Sequence, residues 1–426
     1  MLKKLTIICT FLLCFACSFA YAQNIRVGLA QQQATVELSC DDEFLVQSGA
    51  TEATVPKGKY FLHVDNGRLA FDDKLSFGGD VIISGAEGKA PLQLNQRSYK
   101  GTLQVLVRDD KLTVNNNVEL EAYLASVLPA KTMVVWPDEA VKAQAVAART
   151  YAMYMAEQNA AKDFDIKAYD GELTYLGTGR DIEKAAVTKL IAATKGQYLV
   201  DGNGRLIKAV STSSSGGRTE SAASLWGKDV SYLQSVEDFD KDSPDGKWEY
   251  KASPVFIETL LAQRGYVTGK LNSVRLSPLD EKGIDRSETG RVRYLIFAGD
   301  AGVVRITGAE LAEILGLNSL LFDIETGTPP PETLKVPIEN YYGMEIGSKD
   351  IDIKLRDDDK PVWKNLLRSY HMLGGGKDEK IIFRGNGRGN GVGLSAWGAR
   401  GMANASAKNT YRQILAHYYS GTYIER

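Results

Sequence analysis

Two carboxylates, Glu121 and Glu139, stand either side of Lys131, and Arg149 follows them closely. A carboxyl can give and take protons at a reacting oxygen when its surroundings bring its pKa near the working pH. A lysine ammonium, with a reference pKa of about 10.4, is a weak acid at neutral pH; it serves as a base only if burial lowers its pKa by several units. Arg149 lies in an otherwise small and apolar stretch, where a guanidinium is expensive to bury alone; Glu121 and Glu220 are its candidate partners. A second group is the run Ser213-Ser214-Ser215-Gly216-Gly217-Arg218-Thr219-Glu220. Its Ser213, Ser215 and Thr219 hydroxyls could bond a ligand or cap the local backbone. A third is Asn390-Gly391-Val392-Gly393-Leu394-Ser395, in which Gly391 and Gly393 either let backbone approach a ligand or serve tight turns.

The elements that would position these groups can be read coarsely. Residues 23–118 alternate apolar and polar in Ile25 to Leu29, Ala34 to Leu38, Tyr60 to Val64 and Gly101 to Val107, which predicts a small β-rich accessory domain. Asp65-Asn66-Gly67 is a hairpin cue and Asp109-Asp110 a turn. After Trp136-Pro137 a helix is predicted through Ala140 to Met155, with Asp138 and Glu139 suited to its positive end. Further helices are predicted at Glu183 to Ala193, Thr307 to Leu315 and Thr410 to His417. Strands are predicted at Gln197 to Leu199, Leu206 to Val210, Ser273 to Leu276 and Val292 to Phe297, so the class is α+β. Thr328-Pro329-Pro330-Pro331 opens a stretch that reads as linker and surface insertion through residue 380.

Composition excludes several classes. The chain has 426 residues, 44% apolar and 24% charged, an ordinary globular balance with room for two or three domains. A net charge of −2 suggests neither a nucleic-acid partner nor an anionic membrane surface. Lys3 and Lys4, the apolar run Leu5 to Phe19 and the small-x-small site Ala20-Tyr21-Ala22 read as a cleavable export signal over residues 1–22. Cleavage near Ala22 would leave an extracytoplasmic protein with no membrane span. Cys9, Cys14 and Cys17 lie inside that signal, leaving Cys40 without an intrachain partner. With His63, His371 and His417 scattered, neither a metal site nor a cofactor is expected; Cys40 and His417 read as packing residues.

Four blocks in order carry a family resemblance. The first runs from Leu120-Glu121-Ala122-Tyr123-Leu124 through Val127-Leu128-Pro129-Ala130 and on from Trp136 to Ala152. The second is the Ser213 to Glu220 run, with Leu225-Trp226 and Tyr232-Leu233 after it. The third is Gly290-Arg291-Val292, Thr307-Gly308 and Leu315-Gly316-Leu317. The fourth runs from Gly387 to Met402 and closes with Ile414 to Thr422. Together they resemble the SpoIID/LytB family of bacterial cell-wall proteins, over residues 100–326 and 384–424. The resemblance divides the chain into a signal (1–22), the β-rich domain (23–118), a SpoIID/LytB-like domain in two parts (119–326 and 381–426) and the insertion between them (327–380).

The resemblance implies lytic transglycosylase chemistry on peptide-stripped glycan strands, or enhancement of a cell-wall amidase. One carboxyl suffices for the former: it protonates the leaving oxygen, then takes a proton from the sugar's own hydroxyl as a 1,6-anhydro ring closes. Yet the family's catalytic Glu position is Lys131 here. Its His before Gly-Val-Gly is Asn390, its Gln after the following Ser is Ala396, and its His before the Ser-Gly-Gly block is Thr212. The zinc-binding Cys and His of some members have no counterparts between Asp163 and Gly177. On this footing the candidate substrate-binding set is Arg149, Ser213, Ser215, Gly216, Gly217, Thr219, Asn390, Gly391, Gly393 and Ser395. Arg149 could meet a muramic carboxylate, and Trp226 and Trp397 could stack on sugars or pack in the core. The expected function is binding of peptidoglycan glycan strands, or modulation of an amidase or other hydrolase. The alternative is an active lytic transglycosylase that uses Glu139 or Glu121 as a surrogate acid.

Overall fold

The computed structural model describes residues 23–72, 74–85, 90–131, 136–170, 173–179, 185–281, 283–328, 333–339, 345–352 and 368–426. The expected signal segment, Pro329-Pro330-Pro331 of the linker cue, the acidic run 357–359 and the side chain of Lys131 lie outside that description.

The chain is α+β. Its first part forms two antiparallel sheets. In the seven-stranded sheet, Asn24–Gln33 and Thr102–Arg108 flank Lys111–Glu119; in the six-stranded sheet, Thr35–Cys40 pairs with Gly58–Asp65. Alternation buries one face: Val36, Leu38 and Cys40 point inward along one strand, while Thr35 is exposed. The Asn66-Gly67 cue holds. Gly58–Asp65 turns into Arg68–Phe71 through two residues with φ of 49° and 73°, and Asp65 pairs with Arg68. A two-residue loop with both φ positive matches the twist of the strands it joins.

Lys111–Glu119 runs without a loop into the helix Leu120–Lys131. No linker therefore falls at the expected 118/119 boundary, and one apolar core continues from Val27, Leu38 and Phe71 to Tyr123, Val146 and Leu394. The short strand Ile166–Lys167 adds to the seven-stranded sheet, parallel to Asn24–Gln33, and Asp165 beside it takes bonds from the Arg26 backbone N–H and guanidinium. At the centre of the helical part lies Asp138–Gln158. It packs against the helices Leu120–Lys131, Ala185–Ala193, Ala396–Ala405 and Tyr411–Tyr418 and the strand Tyr198–Val200. Its alanines allow close approach on several sides, and Ala140, Ala143, Ala145, Ala147 and Ala152 are all buried.

A second core gathers Ile257, Leu261, Val274, Leu295, Phe297, Leu311, Phe322 and Phe383. It is built on the sheet Trp248–Ala252, Ile381–Gly385, Phe322–Thr326 and a four-stranded sheet ending in Tyr370–Met372. Because Ile381–Gly385 pairs with strands on both sides, the excursion from the first core spans roughly residues 248–385, wider than the expected 327–380 insertion. The Thr333–Glu339 and Glu345–Asp352 hairpin is one part of it. The expected strand Leu206 to Val210 does not form. Leu206 makes a single bridge to Val200, and Ala209 and Val210 bond carbonyls two residues back. Among the described residues no helix is long and apolar enough to cross a membrane.

Candidate functional site

Arg149 is fully buried. Its Nε and Nη2 donate to the two oxygens of Glu121, each at 2.8 Å, and Nη2 also donates to the Ile191 carbonyl at 3.2 Å. Such a bidentate fork is the geometry in which a carboxylate best offsets a buried guanidinium. Arg149 is thus engaged inside the fold, with its fork taken up by Glu121, the structural ion pair that is one of its two readings. Glu121 is committed to the same pair.

Glu139 occupies the first turn of its helix. One oxygen accepts from Lys142 Nζ at 2.7 Å and the other from the backbone N–H of Tyr411, also at 2.7 Å. Burial raises the Glu139 pKa, but these bonds outweigh it and hold the carboxyl below its usual range. That is the wrong direction for a general acid at neutral pH.

The hydroxyl run mostly turns inward. Ser214 Oγ donates to Asp240 at 2.6 Å and Ser215 Oγ to Asp238 at 2.5 Å, while the Gly216 N–H donates to Asp240 at 2.8 Å. Tyr418 closes the cluster by donating to Asp238 at 2.6 Å. Burial first, then neighbouring Asp240, pushes Asp238 above the ordinary carboxylate range, against opposing bonds from Ser215, Tyr418 and Ser395. Thr219 accepts from the Val236 N–H, and Ser395 caps the Ala396–Ala405 helix by accepting from the Gly398 N–H. Ser215, Thr219 and Ser395 are therefore held by their own fold, with at most 1% exposure each. Ser213 and Gly216 are half-buried and Gly217 is exposed.

Beside this cluster lies a buried relay that the sequence reading missed. Arg291 donates to the Ser215 carbonyl at 2.6 Å and to Thr289 Oγ1 at 2.6 Å, and Thr289 donates to Glu220 at 2.5 Å. Burial lowers the Arg291 pKa, with Glu220 the first of the groups opposing it. The glycines of the fourth block make room for this arrangement. A Cβ on Gly391 (φ 80°) would lie 2.1 Å from Arg291 Nη2, and one on Gly393 (φ 74°) 2.1 Å from the Val210 carbonyl. Both approach the protein's own groups, as glycines in tight turns do. Asn390 is half-buried, and its side-chain oxygen accepts from the Val392 N–H. Thr212 is buried, donating to the Arg388 carbonyl and accepting from the Gly391 N–H.

Trp397 packs edge-on against Trp136 at 5.1 Å, pinning the Ala396 helix beside Pro137, whereas Trp226 is 43% exposed. Buried Cys40 donates to the Ala90 carbonyl and His417 contacts the Glu237 carbonyl, both as packing groups. Among the described residues no cluster of His, Cys, Asp or Glu could hold a metal ion.

Among the described residues a narrow cleft lies between the Leu120 and Asp138 helices, where the parallel strands Ser211–Thr212 and Leu394–Ser395 meet them. Its cavity volume is about 10 Å³, and Leu128, Gln144, Ser211 and Ala396 are among its walls. Lys131 is the last residue of the Leu120 helix, one turn beyond Leu128. The half-buried groups left from the candidate set are Ser213, Gly216 and Asn390.

Comparison with known proteins accords with the blocks. The family model described as SpoIID, Stage II sporulation protein, matches residues 108–200. An uncharacterised protein of Brachyspira hyodysenteriae is 28% identical over 78% of this chain and 73% of its own length. The amidase enhancer of Bacillus subtilis is 26% identical over 94% of this chain, which spans only 54% of that relative. Stage II sporulation protein D of Bacillus subtilis is 26% identical over 72% of this chain and 75% of its own. The matched segment covers the Leu120 and Asp138 helices that frame the cleft; the chain thus carries a SpoIID-family segment, and the similarity to its amidase-enhancer and sporulation relatives extends far beyond it.

Proposed function

We propose that this protein is exported, binds peptidoglycan glycan strands, and modulates another wall hydrolase rather than cutting the strands itself. The relatives' names support a cell-wall-related role. One observation carries the rest: the family's acid position is a lysine at the end of the Leu120 helix, and both nearby carboxylates are already spent. Glu121 is locked to Arg149, and Glu139 is held ionised by Lys142 and the Tyr411 N–H. A proton donor that must later act as base needs a pKa near the operating pH; Glu139 is held below its usual range, and both Glu121 oxygens are taken by Arg149. The test is retention of the folded protein on peptide-free glycan strands, with circular dichroism as the folding control. Retention is expected; its absence would remove strand binding and leave only partnership with another protein.

A further inference from the structure

A larger cavity lies away from the two-helix cleft, where the strands Trp248–Ala252 and Ile381–Gly385 pair. Trp248 stands opposite Gly385 and Glu249 opposite Arg384; these four, with Lys247 and Asn386, line an open pocket of about 350 Å³. That volume suits a small ligand group. Gly385 makes the room: a Cβ there would fall 2.2 Å from Trp248 Cζ2, so the bare backbone lets the indole lie across the strand. Trp248 Nε1 donates to Ser319 Oγ at 3.2 Å, which fixes the ring, and the half-buried indole lines the pocket.

The charges in and around the lining decide what would enter. Glu249 accepts from Arg384 Nε and from Lys251 Nζ, each at 2.8 Å, and Arg384 also pairs with Glu325. Lys247 is exposed and enters none of these pairs, so its ammonium is the charge left over. Asn386 spends its backbone N–H on the Leu321 carbonyl and its own carbonyl on Ser319 Oγ; among the described residues no bond engages its side-chain amide. An aromatic face, an unspent ammonium and an unspent amide fit a carboxylate carried on a short aliphatic chain. The carboxylate accepts from Lys247 and from the amide while the chain lies on the indole. A cationic ligand would meet Lys247 head-on, and a neutral one would leave the ammonium unused.

Position points to the source of that carboxylate. A Cβ on Gly216 would lie 3.1 Å from Asn386 Cβ, and Arg388 exchanges both backbone hydrogen bonds with Ser214. The pocket therefore adjoins the run from Ser213 to Gly217, and a glycan strand resting on that run would carry its side substituents beside Lys247. The acidic substituent of such a strand is the stem peptide, amide-linked to the muramic lactyl group and bearing free carboxylates. We infer that this pocket takes a carboxylate of the stem peptide, with Lys247 as its cation and Trp248 as its apolar floor, so that the protein prefers strands that keep their stems. The inference rests on the strand-binding reading above and reverses the preference for stripped strands that the family resemblance implies.

The experiment titrates the protein with two strand preparations: strands freed of cross-links by an endopeptidase and still bearing their stems, and the same strands after an amidase has removed the stems. Stem-bearing strands should bind wild type about fivefold more tightly, the scale of a solvent-screened ion pair together with a small apolar contact. Lys247→Ala should erase the difference and Lys247→Glu should reverse it; Lys247 is exposed, and unchanged melting temperatures confirm that both variants fold. Equal wild-type affinity for the two preparations would overturn the stem assignment and leave strand binding standing, the result expected if the pocket instead serves an acidic segment of another protein. A preference that persists in Lys247→Ala would overturn the pocket's part in it. No binding to either preparation by the folded protein would overturn both readings.

Discussion

The Arg149–Glu121 pair makes an asymmetric prediction. Arg149 is fully buried, whereas the Glu121 side chain keeps 18% exposure. Glu121→Leu leaves a guanidinium with no water and only carbonyl and hydroxyl partners, and breaking a buried pair from that side costs about 3–5 kcal/mol. Arg149→Met keeps most of the apolar stem and leaves a carboxylate that can rehydrate through its exposed edge, so its cost is smaller, about 1–3 kcal/mol. The double variant buries no lone charge and should cost less than the sum by about 0.5–3 kcal/mol. Urea denaturation followed by circular dichroism reads all three, with similar m-values as the check that the folded states stay comparable. If Glu121→Leu falls within about 1 kcal/mol of wild type, or if the two single costs simply add, the pair is not the structural lock described. Folded Arg149→Met should still bind glycan strands. Loss of binding in a variant of intact fold would return Arg149 to the ligand site.

Further predictions follow from the same contacts. Gly217→Ala, at φ 101° with nothing near its Cβ, should cost about 1–2 kcal/mol for backbone strain alone. Gly391→Ala should cost clearly more, because its Cβ meets Arg291; thermal denaturation of the two side by side tests this. Asp238 carries a raised pKa in the fold, so the native state holds its proton more tightly than the unfolded chain does. Relative to Asp238→Asn, wild type should therefore lose stability as pH rises from the ordinary Asp range through the raised value, and stay level above it. Melting curves across acid to neutral pH would show a flat difference if Asp238 were unperturbed. Glu139→Gln should cost about 1 kcal/mol by weakening the contacts to Lys142 and the Tyr411 N–H, and leave strand binding unchanged in a pull-down.

Some of this was legible because local chemistry decides it. Asn66-Gly67 can populate positive φ at both positions, so the hairpin needed no tertiary information. An arginine in an alanine-rich helix demanded a partner, and the choice lay between two glutamates. Each found an arginine, Glu121 with Arg149 and Glu220 through Thr289 with Arg291. The helix Leu120–Lys131 was not read, since it starts straight from a strand, carries Pro129 near its end and shows no single apolar face. The Ala396 helix was hidden by its glycines, although Ser395 caps it. The hydroxyl run looked ligand-facing because its partners, Asp238 and Asp240, lie more than twenty residues downstream. Their i, i+2 spacing in an extended segment, which puts both carboxylates on one side, was the available signal.

The claim that the protein engages glycan without cutting it is tested most directly by incubating wild type with peptide-stripped strands and measuring 1,6-anhydromuramoyl ends by mass spectrometry. With Lys131 at the acid position and Glu121 and Glu139 both tied, no anhydro ends should accumulate above the protein-free control. Accumulation that survives Lys131→Ala but is lost in a folded Glu139→Gln or Glu121→Gln variant would contradict this and establish a surrogate carboxyl; loss in Lys131→Ala would instead establish lysine-dependent cleavage.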